Sequence, residues 1–310
     1  MRRLFAVLAA LLGAACGTGI HEPTGPCGED AHTGPTPQQL AFVSDALYGQ
    51  FDICLINPDG TAGTQLTSSL GDDTWPTWSP DGSKLAFQTN RNIAPAHDSV
   101  AARLQLDLYV INADGTGETQ ITADTANEAQ PAWSPDGTKI AFVTDRDANN
   151  EIYVMNADGT NVRRLTTNAA ADEQPAWSPD GGKIAFVSNR SGTTDIWVMD
   201  STGANPVSLT NDAAVDVLPA WSPPPDSNRI AFQSNRAGDF AIFVMSTDGS
   251  GVRQLTDGGV PDGSPSWSPD GTRIAFESDG EVWVLVLDGS RPVQVTKSRF
   301  VNDFLPRWRP

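Results

Sequence analysis

Histidine and cysteine are scarce in this 310-residue chain, which contains three of each. The histidines are His21, His32 and His97, and no histidine and cysteine residues have the spacing of a zinc site. The sequence also lacks the Gly-x-Ser-x-Gly turn that carries the nucleophile of many hydrolases. The sequence therefore contains neither a zinc-binding motif nor the nucleophile motif of these hydrolases.

Positive charge is also scarce. The chain has 20 Lys and Arg residues and 38 Asp and Glu residues, which gives a formal net charge of −18. Such an acidic surface repels phosphate backbones and anionic lipid headgroups. We therefore expect no nucleic-acid partner, and membrane contact only through a lipid anchor. What the chain has in quantity is 28 Gly, 23 Pro and 39% apolar residues, a composition that favours a repeat fold with many turns.

The first sixteen residues differ from the rest and predict export. Two arginines precede an apolar run over residues 4–12, which is too short to span a membrane. We interpret residues 1–15 as a signal peptide. The segment Leu-Gly-Ala-Ala-Cys that ends at Cys16 resembles the lipobox of bacterial lipoproteins, and this resemblance implies a lipid anchor there. Gly13 stands where that motif usually has an aliphatic residue, so an ordinary signal peptide cleaved nearby is the alternative.

Residues 16–38 are rich in Gly, Pro and Thr, a composition that predicts a flexible tether. Cys27 lies in this tether and Cys54 in the first repeat, and export permits a disulfide between them. The alternative is that Cys54 is a small buried apolar residue, because other repeats have an aromatic residue at its position.

A repeated Trp-Ser-Pro motif divides the remaining chain into similar units. It occurs five times and is followed by a related Trp-Arg-Pro, with the tryptophans at Trp78, Trp133, Trp177, Trp221, Trp267 and Trp308. Their spacings of 55, 44, 44, 46 and 41 residues are typical of four-stranded propeller blades. In each unit we predict a strand A that ends at the tryptophan, a tight turn, and strands B, C and D. We interpret the tryptophans as core residues between blades.

The two ends of the repeat region predict that the ring closes. Strand B occurs six times, and its first copy at Leu40 has no Trp-Ser-Pro before it, while Trp308 has no strand B after it. If Trp308 belongs to the strand A of the first blade, an exposed sheet edge is removed. We therefore predict an all-β fold, a six-bladed β-propeller over residues 39–310 whose C-terminal strand pairs with the first blade. A linear solenoid is the alternative.

Three stretches of one repeat resemble the propeller repeat of the bacterial TolB family. They are Pro-Ala-Trp-Ser-Pro-Asp-Gly, Lys-Ile-Ala-Phe-Val-Ser-Asn-Arg and Ile-Trp-Val-Met, and the resemblance extends over residues 39–310. TolB itself also has an α/β domain before its propeller, where this sequence has only the tether. The resemblance implies a non-catalytic scaffold that binds an envelope protein or peptide, in the periplasm or from an anchor at Cys16. We expect a monomer.

An acidic residue lies five positions before each of the six tryptophans: Asp73, Glu128, Asp172, Asp216, Asp262 and Asp303. Each belongs to the connection between strands D and A, so symmetry places six carboxylates around one mouth of the central channel. Like charges raise each other's pKa unless something neutralises them, and Ca²⁺ binds several oxygen ligands. We treat the six acids as candidate binding residues, with Ca²⁺ as the one cofactor considered. The alternative is that each acid caps the backbone of its own turn.

Four B strands are followed by an arginine: Arg91, Arg146, Arg190 and Arg236. Most C strands begin with an acid, such as Asp195. We predict an ion pair between this arginine and this acid across the hairpin that joins strands B and C.

The loop between strands B and C of the second blade is longer than its counterparts, because the period there is 55 rather than 44 residues. It covers residues 92–105 and includes His97 and Arg103, which we add to the candidate binding residues. Strand order places it beside the acids, on a face where loops often carry specificity. An ordinary surface loop is the alternative.

The second candidate function is an envelope enzyme, a lyase or hydrolase that acts on sugars or peptides at the channel mouth, with or without a bound cation. Paired carboxylates can supply the acid and the base of such a reaction. Six nearly equivalent acids, however, offer no asymmetric pair, so the sequence favours the binding scaffold.

Overall fold

The described part of the chain is built from β-strands. The computed structural model describes residues 38–47, 50–91, 105–297 and 301–310. These residues form 24 strands in six antiparallel sheets of four strands each. Within the same ranges, no helix is long and apolar enough to cross a membrane.

Each sheet is one blade, and its strands follow the order A, B, C, D from the central axis outward. The A strands are β4 (Asp73–Trp78), β8 (Glu128–Trp133), β12 (Asp172–Trp177), β16 (Asp216–Trp221), β20 (Asp262–Trp267) and β24 (Asp303–Trp308). The B strands are β1 (Leu40–Leu47), β5 (Lys84–Thr89), β9 (Lys139–Thr144), β13 (Lys183–Ser188), β17 (Arg229–Ser234) and β21 (Arg273–Ser278). The C strands are β2 (Gln50–Ile56), β6 (Asp107–Asn112), β10 (Glu151–Asn156), β14 (Asp195–Asp200), β18 (Ala241–Ser246) and β22 (Glu281–Val286). The short D strands are β3 (Thr64–Gln65), β7 (Thr119–Gln120), β11 (Arg163–Arg164), β15 (Val207–Ser208), β19 (Arg253–Gln254) and β23 (Val293–Gln294).

The ring closes through the first blade. β24 pairs antiparallel with β1, with Leu40 opposite Trp308 and Ser44 opposite Asp303. Each A strand contacts the A strand of the next blade, and β24 contacts both β4 and β20. The predicted six-bladed propeller is therefore confirmed, and the linear solenoid is excluded.

The hydrophobic core lies between neighbouring blades. Strand B is apolar on both faces, and the phenylalanine at its centre is buried in all six blades. One cluster joins Ala41 and Ile53 of the first blade to Leu85 and Phe87 of the second. Each large apolar side chain contributes about 1.5–3 kcal/mol when it is fully buried. Every blade is therefore stabilised by its two neighbours.

The tryptophans that end the A strands also join neighbouring blades. Trp78 packs in the cluster that contains Ala41, and its indole Nε1 donates a hydrogen bond to the carbonyl oxygen of Arg307 at 3.2 Å. Equivalent bonds of 3.0–3.1 Å run from Trp177 to Ala132, from Trp221 to Ala176 and from Trp267 to Ala220. These tryptophans thus join neighbouring blades as interpreted, but Trp177 and Trp221 are only partly buried and not core residues.

Each A strand contains a β-bulge at its third and fourth residues. The fourth residue is proline in every blade, and proline has no N–H for the ladder, so the register shifts there, as between Glu173 and Ala176. The third residues have φ between 51° and 56°: Trp75, Gln130, Gln174, Leu218, Ser264 and Leu305. This conformation is uncommon outside glycine, and bulges of this kind redirect a side chain.

Several predictions fall on residues that the structure does not describe. These are the signal peptide, nearly all of the tether, the candidate lipid anchor at Cys16, and the candidates His97 and Arg103, all of which stay predictions. Cys54 is buried and disulfide-bonded, so its interpretation as a merely apolar residue is wrong. The expected partner, Cys27, lies outside the described residues.

Candidate functional site

The six predicted acids lie at one level of the propeller, but their side chains do not share an opening. Each acid is the first residue of an A strand, and not part of the preceding connection, and each is buried. Strand register places it opposite the hydroxyl residue near the end of strand B, as Asp172 lies opposite Ser188. None of the six lines the cavity of the central channel. The acids therefore belong to the interior of the blades.

Four of these acids form ion pairs with the arginine that follows strand B in their own blade. The distances between nitrogen and oxygen are 2.7–2.9 Å in Arg91–Asp73, Arg146–Glu128, Arg190–Asp172 and Arg236–Asp216. The predicted pairing of these arginines with the acid of strand C is therefore wrong. The cause is local, because Arg190 Nε donates to Ser188 Oγ at 2.9 Å and this bond directs the guanidinium toward strand A.

Each of these guanidinium groups also stacks over aromatic rings of strands B and C. Arg190 lies 5.2 Å from the ring centre of Phe186 and 4.8 Å from that of Trp197. The acid of strand C in this blade, Asp195, accepts a hydrogen bond from the hydroxyl of Thr210 instead. The acid, the arginine and the aromatic rings thus form a repeated structural unit, held by charge, hydrogen bonds and cation–π contact.

The first and sixth blades have no arginine at this position. In the sixth blade, Asp262 interacts with the hydroxyls of Ser278 and Thr256, and burial raises the pKa of its carboxyl group. Among the residues that the structure describes, no group of three or more His, Cys, Asp or Glu side chains could hold a metal ion. Ca²⁺ binding at the six acids therefore stays a prediction, and the described residues form no site that would coordinate it.

The cavity of the central channel lies on the other side of the bulges, toward the Trp-Ser-Pro turns. It has a volume of about 470 Å³, and all six blades contribute to its wall. The wall contains residues from the second half of each A strand, together with turn prolines such as Pro223 and Pro269. Because strand A begins at the acid and ends at the tryptophan, the cavity and the acids face opposite ends of the propeller.

Trp75 closes the inner end of this cavity. Its side chain packs against a cluster of Val187, Val217 and Leu218, which belong to the fourth and fifth blades on the far side of the channel. A large aromatic ring thus crosses the channel axis at the level of the bulges. The cavity is consequently a recess that opens toward the Trp-Ser-Pro turns.

A relay of glutamine side chains fixes the bulges at this inner end. The backbone N–H of Gln130 donates to Gln88 Oε1 at 2.9 Å, that of Gln174 to Gln130 Oε1 at 2.8 Å, and that of Leu218 to Gln174 Oε1 at 2.7 Å. Buried backbone N–H groups need such acceptors when a bulge removes them from the ladder. The relay therefore holds blades two to five in register around the recess.

Two departures from sixfold symmetry face the recess. The residue before the tryptophan is Arg307 in the first blade, and it is small in the other five: Thr77, Ala132, Ala176, Ala220 and Ser266. The turn after Trp221 has three consecutive prolines, of which Pro223 and Pro224 line the recess. Sequence reasoning missed this site, although the lone arginine among small residues and the proline run were visible signals.

Comparison with known proteins gives a family for this fold. Residues 97–175, 129–223 and 171–310 each match the family described as the TolB beta propeller domain. The protein TolB homolog of Chlorobium luteolum is 32% identical in an alignment of 144 positions that covers 36% of this chain and 33% of that protein. The chain thus spans about a third of the length of this relative.

Solved structures share the same architecture. TolB from Acinetobacter baumannii has a TM-score of 0.73 at 21% identity, covering 88% of this chain and 67% of that one. Oligogalacturonate lyase from Vibrio parahaemolyticus has a TM-score of 0.57 at 16% identity, covering 84% and 74%. At these identities the similarity shows the fold alone, and this fold also occurs in an enzyme.

The family matches together extend from residue 97 to residue 310, over most of the strands that form the ring. By this coverage, the chain belongs to the TolB β-propeller domain family.

Proposed function

We propose that this protein is a non-catalytic propeller of the bacterial cell envelope that binds a protein or peptide in the recess on its Trp-Ser-Pro face. Membership of the TolB propeller family supports the envelope role. The proposal includes export, either to the periplasm or to a membrane anchor at Cys16.

The observation that carries the proposal is the recess itself, about 470 Å³ in volume and closed by Trp75 at its inner end. Its wall is mostly Pro, Ala and Trp, with a few polar groups such as Gln130 and Ser266. Ligand sites are typically of this size, largely apolar, with few polar groups that fix orientation. Rigid prolines and a fixed inner wall also reduce the entropy that binding costs.

The alternative of an envelope lyase or hydrolase has less support. The described residues that line the recess include no Asp, Glu, His, Cys or Lys to act as acid, base or nucleophile. The predicted acids lie in the blades, where Asp73 and three others are paired with arginine. Among the described residues, the recess therefore offers no acid–base pair.

Selection of peptides from a displayed library on the purified protein tests the proposal. Ala176→Phe adds an aromatic ring to the wall of the recess, and Val207→Phe adds the same ring to the exposed outer strand β15. We expect Ala176→Phe to weaken the selected peptides at least roughly tenfold, the scale of a lost hydrophobic contact, and Val207→Phe to leave them unchanged. Thermal unfolding of both variants establishes that they are folded.

Equal affinities of the two variants would contradict binding in the recess. Deletion of residues 92–104 provides the complementary test, because it removes the loop that holds the candidates His97 and Arg103. Loss of binding only in this deletion would assign recognition to this loop instead of the recess.

A further inference from the structure

Arg307 is the one charged residue among the described residues that line the recess. It pairs with Ala41 of strand β1, at the register position that Ala132, Ala176 and Ala220 occupy in other blades. Alanine is thus sufficient for the fold at this position. The arginine is therefore not explained by the framework of the propeller.

The described surroundings of Arg307 do not balance its charge. Its Nη1 donates to the carbonyl oxygen of Pro306 at 2.9 Å, the one hydrogen bond of its guanidinium to a described residue. A guanidinium has five N–H donors, so most of them remain available. Burial lowers the pKa of Arg307 to about 10, which still leaves the side chain charged at neutral pH. By contrast, Arg190 bonds both carboxylate oxygens of Asp172.

The shape of the recess restricts which part of a ligand can reach this charge. Trp75 blocks the channel at the inner end, and the opening lies among turn prolines such as Pro223. A chain that enters from that side has to end inside the recess or turn back within it. A volume of about 470 Å³ holds a few residues of one extended chain better than a doubled chain.

We infer that the recess binds the C-terminal end of a partner polypeptide, with its terminal carboxylate on the Arg307 guanidinium and its last apolar side chains against the prolines and tryptophans. This inference rests on the proposed function and names the part of the partner that is recognised. Arginine binds a carboxylate through two parallel N–H···O bonds, which fixes orientation as well as position. Arg307 is half-buried and has no counter-charge among the described residues, so a bound carboxylate would stabilise the recess.

Matched peptides test this inference directly. Each sequence of a C-terminal peptide library is synthesised with a free carboxylate and as the C-terminal amide, and both forms are titrated against four proteins. These are the wild type, Arg307→Ala, Thr77→Ala, which alters the recess but keeps its charge, and Arg253→Gln, which removes an exposed arginine from the outer strand β19. Because alanine occupies the equivalent position in three blades, we expect Arg307→Ala to fold.

We expect the wild type to bind the free acids roughly tenfold or more tightly than the amides, the scale of a hydrogen-bonded charge. Arg307→Ala should lose this preference, whereas Thr77→Ala and Arg253→Gln should keep it. Equal binding of acids and amides by the wild type, or an undiminished preference in Arg307→Ala, would overturn the inference. Amides that bind only when they contain an internal Asp or Glu would overturn it as well, by assigning the carboxylate to a side chain.

These failures are distinguishable from failure of the proposed function. If acids and amides bind equally and Ala176→Phe abolishes both, the recess is the binding site and only the role of Arg307 is wrong. If no peptide binds the recess in either form, both the proposed function and the inference are wrong.

Discussion

Replacement of Arg190 by Met should destabilise the fourth blade by several kcal/mol. Arg190 Nη2 lies 2.8 Å from Asp172 Oδ1 and 2.7 Å from Oδ2, and Asp172 is fully buried. After the substitution, Asn168 Nδ2 at 2.6 Å would be the remaining described donor to this carboxylate. Removal of one partner of a buried ion pair typically costs about 3–5 kcal/mol, mainly because the other charge stays buried.

The second substitution, Asp172→Asn, distinguishes this explanation from simple loss of packing. In the double variant Asp172→Asn/Arg190→Met both charges of this pair are removed together, so the loss should be smaller than the sum of the two single losses. We expect a coupling energy of about 2–3 kcal/mol from the double-mutant cycle. The sixth blade is a natural precedent, since Asp262 there interacts with hydroxyls and has no arginine.

Urea unfolding at pH 7, followed by tryptophan fluorescence, measures these free energies. Arg253→Met serves as the control, because this arginine is exposed on the outer strand β19. If Arg190→Met loses less than about 1 kcal/mol, or if the two single losses are additive, the acids and arginines are not the structural units described above.

Three further substitutions test other parts of the structure. Burial raises the pKa of Glu277 from 4.5 to about 7. The carboxyl group of Glu277 therefore binds its proton more tightly in the folded protein than in the unfolded chain. The stability that this difference contributes is lost as the pH rises from about 4.5 to 7. Relative to wild type, Glu277→Gln should therefore gain about 2–3 kcal/mol of unfolding free energy over this range, measured by urea unfolding at several pH values. Trp177→Phe should lose about 1–3 kcal/mol in the same assay at pH 7, because the carbonyl of Ala132 loses its indole donor. Gln174→Leu should lose a similar amount, because the N–H of Leu218 loses its acceptor.

Each of these substitutions has a matched control. Asp239→Asn removes an exposed carboxylate and serves as the control, and a pH profile of Glu277→Gln that matches the control would contradict the burial argument. Trp133→Phe should cost less than Trp177→Phe, since Trp133 Nε1 has no hydrogen-bond partner among the described residues. Gln120→Leu changes an exposed glutamine on β7, and a loss equal to that of Gln174→Leu would refute the role of the relay.

The architecture could be predicted from the sequence because each blade repeats the same local signals. The tryptophan, the tight turn and the apolar strand B recur with a nearly constant period, and the surplus Trp308 required a partner at Leu40. Ring closure then followed from the need to pair both strand edges. These signals are local and occur six times, so the strands of a repeat that departs from the pattern can be assigned from the other repeats.

The site could not be predicted in the same way, because it depends on where side chains point. The acids before each tryptophan are visible in the sequence, but their burial depends on the register between strands A and B. The path of Arg190 depends on its bond to Ser188, which redirects it from strand C to strand A. The recess depends on a bulge at a proline and on Trp75 reaching across the channel, and both are tertiary features.

A crystal structure of the protein with a selected peptide tests most directly whether the recess is the binding site. We predict that the peptide lies between the A strands, bounded by Trp75 at the inner end and by Pro223 at the opening. A peptide bound outside the recess, for example at the end of the propeller where the A strands begin, would contradict this account.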